Sequence, residues 1–392
     1  MHMDPMMPLV VASLVGILVM GFLARVLKQP HVIGYLIAGV ALGPFGLSLI
    51  TDQDVLTRLG ALGVVLLLFF VGMEVQPGRL VSGWKVSLLG TLLQVVLSTA
   101  AVIALGYWLD WPLSRSVLIG FVISLSSTAV VLKILHDTGR LETDVGQDAL
   151  GILLMQDLAV IPMLMVIGLM GDAEFHTGAA LLQGGGGILM IGLVGWIIVK
   201  GTISLPLSRL LTGDHEMEVF AALLLCFGLA LLTALFGLST ALGAFAAGML
   251  ISAAKETRWV HESLQPFQVV FVALFFVSIG MLVDMEFLWS NWQEVSILVI
   301  AVLVTNTVIN AVILRLLAYN WRRSLYTGAL LSQIGEFSFV LAAVGAQSGL
   351  ISTYGYQLSI TVISLSLVVS PLWIRLAASW FDQSQTGETE AD

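Results

Sequence analysis

Leu330–Leu341 reads LLSQIGEFSFVL, a polar string set inside an apolar run. Ser332, Gln333, Gly335, Glu336 and Ser338 crowd the centre of a run that is otherwise apolar over 324–347. At the depth of a bilayer, polar groups and irregular backbone are tolerated only where protein or a water-lined cavity supplies partners. An earlier stretch has the same character. Ile123–Leu132, ISLSSTAVVL, sets Ser124, Ser126, Ser127 and Thr128 in the middle of the run 114–135. Two such stretches point to a pair of broken helices crossing at the midplane, with half-helix ends presenting partial charges there. The competing reading is a pair of unbroken helices whose Ser and Thr hydroxyls bond back to the i−4 carbonyl.

The membrane setting follows from composition. Of 392 residues 58% are hydrophobic and 10% charged, against about 25% charged in an ordinary soluble domain. The mean hydropathy is +1.01. Thirteen apolar segments are read, at 8–28, 31–50, 56–76, 86–109, 114–135, 146–170, 180–204, 217–237, 239–254, 264–283, 293–317, 324–347 and 354–380. Each is near the ~20 residues a helix needs to cross a bilayer. The first, after MHMDPMMPLVV, lacks a basic n-region and reads as a retained helix rather than a signal peptide. One long tilted helix is the alternative for the eighth and ninth. Fourteen of the sixteen Lys and Arg residues flank one set of segment ends, and only Arg58 and Arg115 flank the other. That bias supports the split and predicts an external N-terminus and a cytoplasmic C-terminus.

The chain also repeats itself. Gly34–Gly39 resembles Gly243–Gly248, Leu68–Met73 resembles Leu274–Met281, and Ser124–Ser127 resembles Leu330–Gln333, at offsets of 209, 208 and 206 residues. The matched segments lie seven helices apart, so the copies, about 31–170 and 239–380, run upside down to one another. The expected fold is an all-α polytopic membrane protein of thirteen helices with inverted repeats and two crossed broken helices. Inverted repeats of this kind build secondary transporters. The chain is read as a single transporter domain, 1–392, ending in a short acidic tail, 383–392, with no soluble regulatory domain.

Asp157 is the candidate carrier. It sits mid-way along the sixth segment in GILLMQDLAVIPML, 151–164. A carboxylate at a helix centre costs about 2.5–3.5 kcal/mol on insertion scales, so it faces water or a partner rather than lipid. In a wet cavity one carboxyl exchanges a proton for a cation. Gln156, Ser126, Ser127 and Thr128 add the oxygen ligands that a hard alkali cation, K⁺ or Na⁺, prefers. The alternative is a structural Asp paired with a neighbouring helix. Glu336, beside Gly335, offsets a half-helix N-terminus. A Lys133–Glu336 bridge compensates charge at the crossing, unless Lys133 snorkels to the interface. Ser332 and Gln333 belong to that crossing. Asn306 and Asn310, one turn apart, form a possible outer layer or helix-packing glue.

Other classes find little support. Gly184–Gly187 lacks the Lys-Ser/Thr of a phosphate loop. Cys226, the single cysteine, excludes an intramolecular disulfide. No metal-cluster, nucleotide or nucleic-acid motif appears, no nucleophile–base pair suggests an enzyme, and no cofactor is expected. A potassium channel, gated by a ligand or otherwise, is weakened by the lack of a filter such as TVGYG. The buried acid argues against a scaffold or sensor.

GYLIAGVALGP (34–44), GVVLLLFFVGMEV (63–75), SLSSTAVVLKIL (124–135), LLMQDLAVIP (153–162) and LSQIGEFSFVL (331–341) resemble the Kef-type branch of the monovalent cation:proton antiporter-2 family. The likeness covers roughly 10–380. It implies thirteen helices, a homodimer with a dimer-forming domain and a mobile core, elevator-like movement, and Asp157 as the proton and cation carrier. The Gln–Asp pair resembles the electroneutral, potassium-linked members. Two features depart from the pattern. The middle of the eleventh segment offers Asn306 and Asn310 instead of a basic residue, leaving charge balance to Asp157 alone. The chain also stops where many relatives continue into a cytoplasmic nucleotide-binding domain, so a regulatory domain or subunit is a candidate partner beside the bilayer. The expected function is K⁺/H⁺ antiport in a bacterial inner membrane, with Na⁺/H⁺ antiport on the same fold as the alternative.

Overall fold

A computed structural model of the chain describes residues 6–27, 29–50, 53–74, 85–141, 143–171, parts of 185–200, 214–236, 238, 240–254, 258–317 and 319–382. The ordered elements are helices: α1 Met6–Val26, α2 His31–Leu42, α3 Gln53–Glu74, α4 Gly90–Trp108 after a π turn Lys85–Leu89, α5 Leu113–Ser124, α6 Thr128–Asp137 and α7 Asp144–Met170. They continue with α8 His215–Leu235, α9 Thr240–Ala253, α10 Arg258–Leu282, α11 Met285–Ser290, α12 Trp292–Leu316, α13 Trp321–Leu330, α14 Phe337–Gln347 and α15 Thr353–Asp382. Every predicted segment but the seventh falls on one helix or on a broken pair. The seventh, 180–204, lies largely outside the described residues, as do the acidic tail and two of the four residues of the glycine run. Val86–Trp108, Asp144–Met170, Glu216–Leu235, Trp292–Leu316 and Thr353–Ala378 are long and apolar enough to cross a membrane.

Boundaries have local causes. α2 stops at Leu42, short of the predicted 50. Pro44 disfavours helix at Gly43, and Leu47, Ser48 and Ile50 donate their N–H groups back to Ala41, Gly43 and Leu42. The eighth and ninth segments are separate helices: Phe236 closes α8 on the carbonyls of Leu232 and Thr233, and α9 starts at Thr240. The short helix α11, capped by the Asp284 carboxylate on the Glu286 and Phe287 N–H groups, is an addition that apolar periodicity does not reveal.

Two compact units emerge. One comprises 52–82 and 164–278. Its core joins Leu66, Phe69, Phe70 and Met73 of α3 to Ala222, Cys226 and Ala230 of α8 and Ala244, Ala247 and Ile251 of α9. A Cβ on Gly248 would strike the Phe69 carbonyl oxygen and come within 2.9 Å of the Gly72 Cα. The backbones of α3 and α9 therefore touch where glycine meets glycine.

The other unit comprises 1–51, 83–163 and 279–392. Its core includes Val131 and Leu135 of α6, Ala149, Ile152 and Leu153 of α7, Leu314 of α12, and Tyr326 and Leu330 of α13. Here a Cβ on Gly280 would strike the Leu36 carbonyl oxygen and lie 2.9 Å from the Gly39 Cα. Gly39 and Gly248 are equivalent in the sequence repeat, and so are Gly72 and Gly280. The same glycine-on-glycine crossing is thus made once in each unit, and the repeat read from sequence has a counterpart in packing.

Candidate functional site

Both polar stretches are breaks. α5 ends at Ser124, Leu125 is extended at φ −93, ψ 134, and helix resumes as α6 at Thr128. α13 ends at Leu330 and α14 begins at Phe337. Serine is what frees the first chain from helix. Ser127 Oγ accepts the Val130 N–H at 3.3 Å, an N-cap that starts α6 afresh. Glycine is what lets the second approach it. Gly335 N–H donates to the Leu125 carbonyl at 2.8 Å, and a Cβ at Gly335 would meet the Ser126 oxygen at 2.5 Å. The two breaks pair directly. Ser126 Oγ donates to the Leu331 carbonyl at 2.7 Å and Gln333 Nε2 to the Ser127 carbonyl at 3.4 Å. Leu125 and Leu331 are repeat equivalents, and each carbonyl accepts a bond from the opposite break.

A buried break leaves backbone groups without helical partners, and each must be satisfied elsewhere. At the end of α5, Val122 O accepts from Ser338 Oγ of α14 at 2.6 Å. Ile123 O accepts from Asn306 Nδ2 of α12 at 2.8 Å, and Ser124 O from Gln94 Nε2 of α4 at 2.9 Å. The Ser126 N–H donates to Gln156 Oε1 of α7 at 2.9 Å. In the second break, Ser332 O accepts from Asn306 Nδ2 at 3.1 Å, and the Ile334 N–H donates to Ser366 Oγ of α15 at 3.2 Å. Four surrounding helices therefore hold the crossing by side chains.

Asp157 is 3% exposed on α7. Thr128 Oγ1, on the first residue of α6, donates to Asp157 Oδ2 at 3.2 Å. The carboxyl thus meets a half-helix N-terminus, the positive end of the helix dipole. Pro162, one turn on within α7, lacks the N–H that would bond the Leu158 carbonyl. Glu336 is buried at the N-cap of α14, the equivalent positive end of the other break. The two half-helix C-termini share Asn306, whose amide reaches Ile123 O and Ser332 O. The Asp157 carboxyl meets the start of α6, and the Asn306 amide protons face the two negative ends.

The other candidate residues make these contacts. Lys133 Nζ pairs with Asp137 Oδ1 at 2.6 Å, one turn along α6 and partly exposed, rather than with Glu336. An i,i+4 partner on its own helix is simply nearer than one across the crossing. Gln156 Oε1 accepts the Ser126 N–H, so the amide bridges α7 to the first break. Ser127 Oγ is engaged as the α6 cap. Asn310 Nδ2 bonds the Asn306 backbone carbonyl within α12 and does not reach the breaks. Ser332 Oγ likewise bonds locally, to Ala329 O at 2.8 Å. Among the described residues, the buried Gln333 Oε1 and Asn306 Oδ1 make no hydrogen bond.

The sequence reading passed over Gln94 and Ser366. A signal for Gln94 exists: Ser87, Thr91, Gln94 and Ser98 fall on one face of the fourth segment, and all four are buried. Farther along, Arg323 of α13 pairs with Asp148 of α7 at 2.8 Å and with Asp144 at 3.4 Å, and lies 4.3 Å over the Tyr319 ring. Burial, and then a hydrogen bond to Asp148, pushes the Tyr319 phenol up to about 12. This cluster ties the Asp157 helix to the second broken helix at their polar ends.

The family model for the transmembrane sodium/hydrogen exchanger matches residues 9–380. The chain belongs to this family. It is a polytopic membrane protein of the cation/proton antiporter type, a transporter by family and by fold. This exchanger is 37% identical over 368 residues to the iron transporter MagA of Paramagnetospirillum magneticum, covering 93% of this chain and 83% of that protein. In structure it is similar to the sodium proton antiporter MjNhaP1 from Methanocaldococcus jannaschii at pH 8. The TM-score is 0.69 at 16% identity, over 96% of this chain and 97% of the other. An electron-microscopy structure of MjNhaP1 matches at TM-score 0.59, also at 16% identity and over 96% of each chain. At that identity the likeness establishes the fold alone.

Proposed function

We propose that this exchanger carries K⁺ against H⁺, with Asp157 holding one or the other. The observation that carries the reading is the Thr128–Asp157 contact, a buried carboxyl against the start of a half-helix beside two paired breaks. A proton and a monovalent cation compete for one carboxyl, so each cycle exchanges one positive charge for another and is electroneutral. Thr128 stays beside the bound species, while Gln156, Ser126 and Ser127 shape the break that presents it. Glu336, Gln333 and Asn306 keep the crossing polar without adding a mobile charge. Alternating access follows an elevator-type displacement in a homodimer of a bacterial inner membrane, N-terminus outside and C-terminus in the cytoplasm. The Gln156–Asp157 pair, resembling the Kef-type branch, favours K⁺ over Na⁺.

The name of the relative MagA raises a second cargo, iron. Among the described residues no group of three or more His, Cys, Asp and Glu side chains comes together. One carboxylate with hydroxyl and amide oxygens suits a hard alkali cation better than a transition metal. The test is proteoliposome transport of K⁺, Na⁺, Rb⁺ and Fe²⁺ under an imposed pH gradient, with membrane potential clamped and free. The proposal expects K⁺ and Rb⁺ flux that is indifferent to potential. Flux confined to Na⁺ or Fe²⁺, or driven by potential, overturns it.

A further inference from the structure

Gln94 is fully buried in α4, 62 residues from Gln156 in sequence, and nothing in the exchange as proposed above requires it. Its contacts nevertheless form a closed path around the first break. Gln94 Nε2 donates to the Ser124 carbonyl at 2.9 Å, and Gln94 Oε1 accepts from Gln156 Nε2 at 2.6 Å. Gln156 Oε1 in turn accepts from the Ser126 N–H at 2.9 Å, and its Nε2 also lies 3.5 Å from Ser126 Oγ. One end of the path is a carbonyl that only accepts, and the other is an N–H that only donates. The orientation of both amides is therefore dictated by the backbone, not free to flip. Read along its length, the pair replaces the helical bonds lost across residues 124–126. Gln156 also precedes Asp157 on α7. Whatever fixes Gln156 against the break fixes Asp157 against Thr128, since Thr128 is two residues past Ser126.

We infer that Gln94 is a positioning residue for the exchange. Through Gln156 it sets the register between the first helix break and Asp157, and so sets how tightly the cation is held. The inference rests on the reading of Asp157 given above and extends it to a helix that contributes no ligand. An amide is the right side chain for the task. It donates to Ser124 O and accepts from Gln156 together, and it brings no charge that would compete with Asp157 for the transported ion.

The test is a cation KM and Vmax comparison in proteoliposomes for Gln94→Met, Gln156→Met, the double variant, and Thr91→Val. Thr91 lies about one turn from Gln94 on the same buried face, and its Oγ1 donates to the Ile152 carbonyl of α7 at 3.2 Å without touching the break. Gln94→Met is expected to raise the cation KM on the order of tenfold. The double variant is expected to match the more severe single variant within about twofold, because one path is cut only once. Thr91→Val is expected to behave as wild type. A merely structural role for Gln94 would lower Vmax and yield and leave KM in place. Unchanged KM in Gln94→Met overturns the inference, as do KM effects of the two single variants that multiply. Should wild type move no cation under a pH gradient, the functional reading fails by itself. The glutamine pair is then judged by unfolding midpoints of the same four proteins: sub-additive losses uphold the shared path, and additive losses overturn it.

Discussion

Replacing Asn306 by Leu removes two hydrogen bonds at once, to Ile123 O at 2.8 Å and Ser332 O at 3.1 Å. These are the carbonyl ends of α5 and of the second break, where half-helix dipoles leave partial negative charge. In soluble proteins a buried acceptor stripped of its partner costs about 1–3 kcal/mol. Within a bilayer the measured worth of a side-chain hydrogen bond is smaller, about 0.6 kcal/mol on average and up to about 1.7, because the unfolded chain also finds partners in the membrane. Two such bonds at one point give an expected loss of about 1–3 kcal/mol for Asn306→Leu. The assay is reversible unfolding in mixed detergent, followed by circular dichroism, beside Asn310→Leu. Asn310 makes one bond, to the Asn306 backbone carbonyl within its own helix, so its loss is expected to stay under about 1 kcal/mol. Equal losses for the two variants, or none for Asn306→Leu, would refute the claim that one neutral amide braces both breaks.

Other outcomes follow from the same geometry. Gly248→Ala drives a Cβ into the Phe69 carbonyl oxygen and toward the Gly72 Cα and Met73 N of α3, all backbone atoms that cannot rotate aside. An overpacking loss of about 1–3 kcal/mol in unfolding free energy is expected. Gly228→Ala, with nothing within 4 Å of the new methyl, is expected to be neutral or slightly stabilising, and the reverse order would contradict the packing described. Arg323→Gln breaks the pairs with Asp148 and Asp144 at the polar end of α13. Its cost is expected to be about 1 kcal/mol or less and to shrink as salt rises, and a loss exceeding that of Asn306→Leu would invert the ranking argued here.

Much of this architecture is legible in the chain. The apolar runs, the bias of Lys and Arg, and the three motif pairs at near-constant offset are one-dimensional signals. They specify helices, their separation at Phe236, and the repeat that reappears as Gly39 on Gly280 and Gly248 on Gly72. The polar clusters at 124–128 and 332–338 announce the breaks because serine, glycine and buried carboxylate all disfavour continuous helix at depth. What the sequence conceals is pairing across distance. Gln156 beside Asp157 reads as a ligand, and its hydrogen bond to the Ser126 N–H of the first break has no signal in the sequence. Lys133 reads as a counter-charge for Glu336, but a nearer partner on its own helix takes it. Gln94 is inconspicuous because its partners lie 30 and 62 residues away on other helices. Asn306 looks like the loss of a basic residue, and the sequence does not show that its amide reaches the carbonyl ends of both breaks.

On the proposed mechanism a proton and an alkali cation compete for the Asp157 carboxyl. Proton release from detergent-purified protein in weakly buffered solution, on addition of K⁺, measures that competition without vesicles or gradients. Saturable release approaching one proton per chain is expected in wild type and none in Asp157→Asn. Equal release from the two proteins, or none from a wild-type protein that transports K⁺, would contradict it.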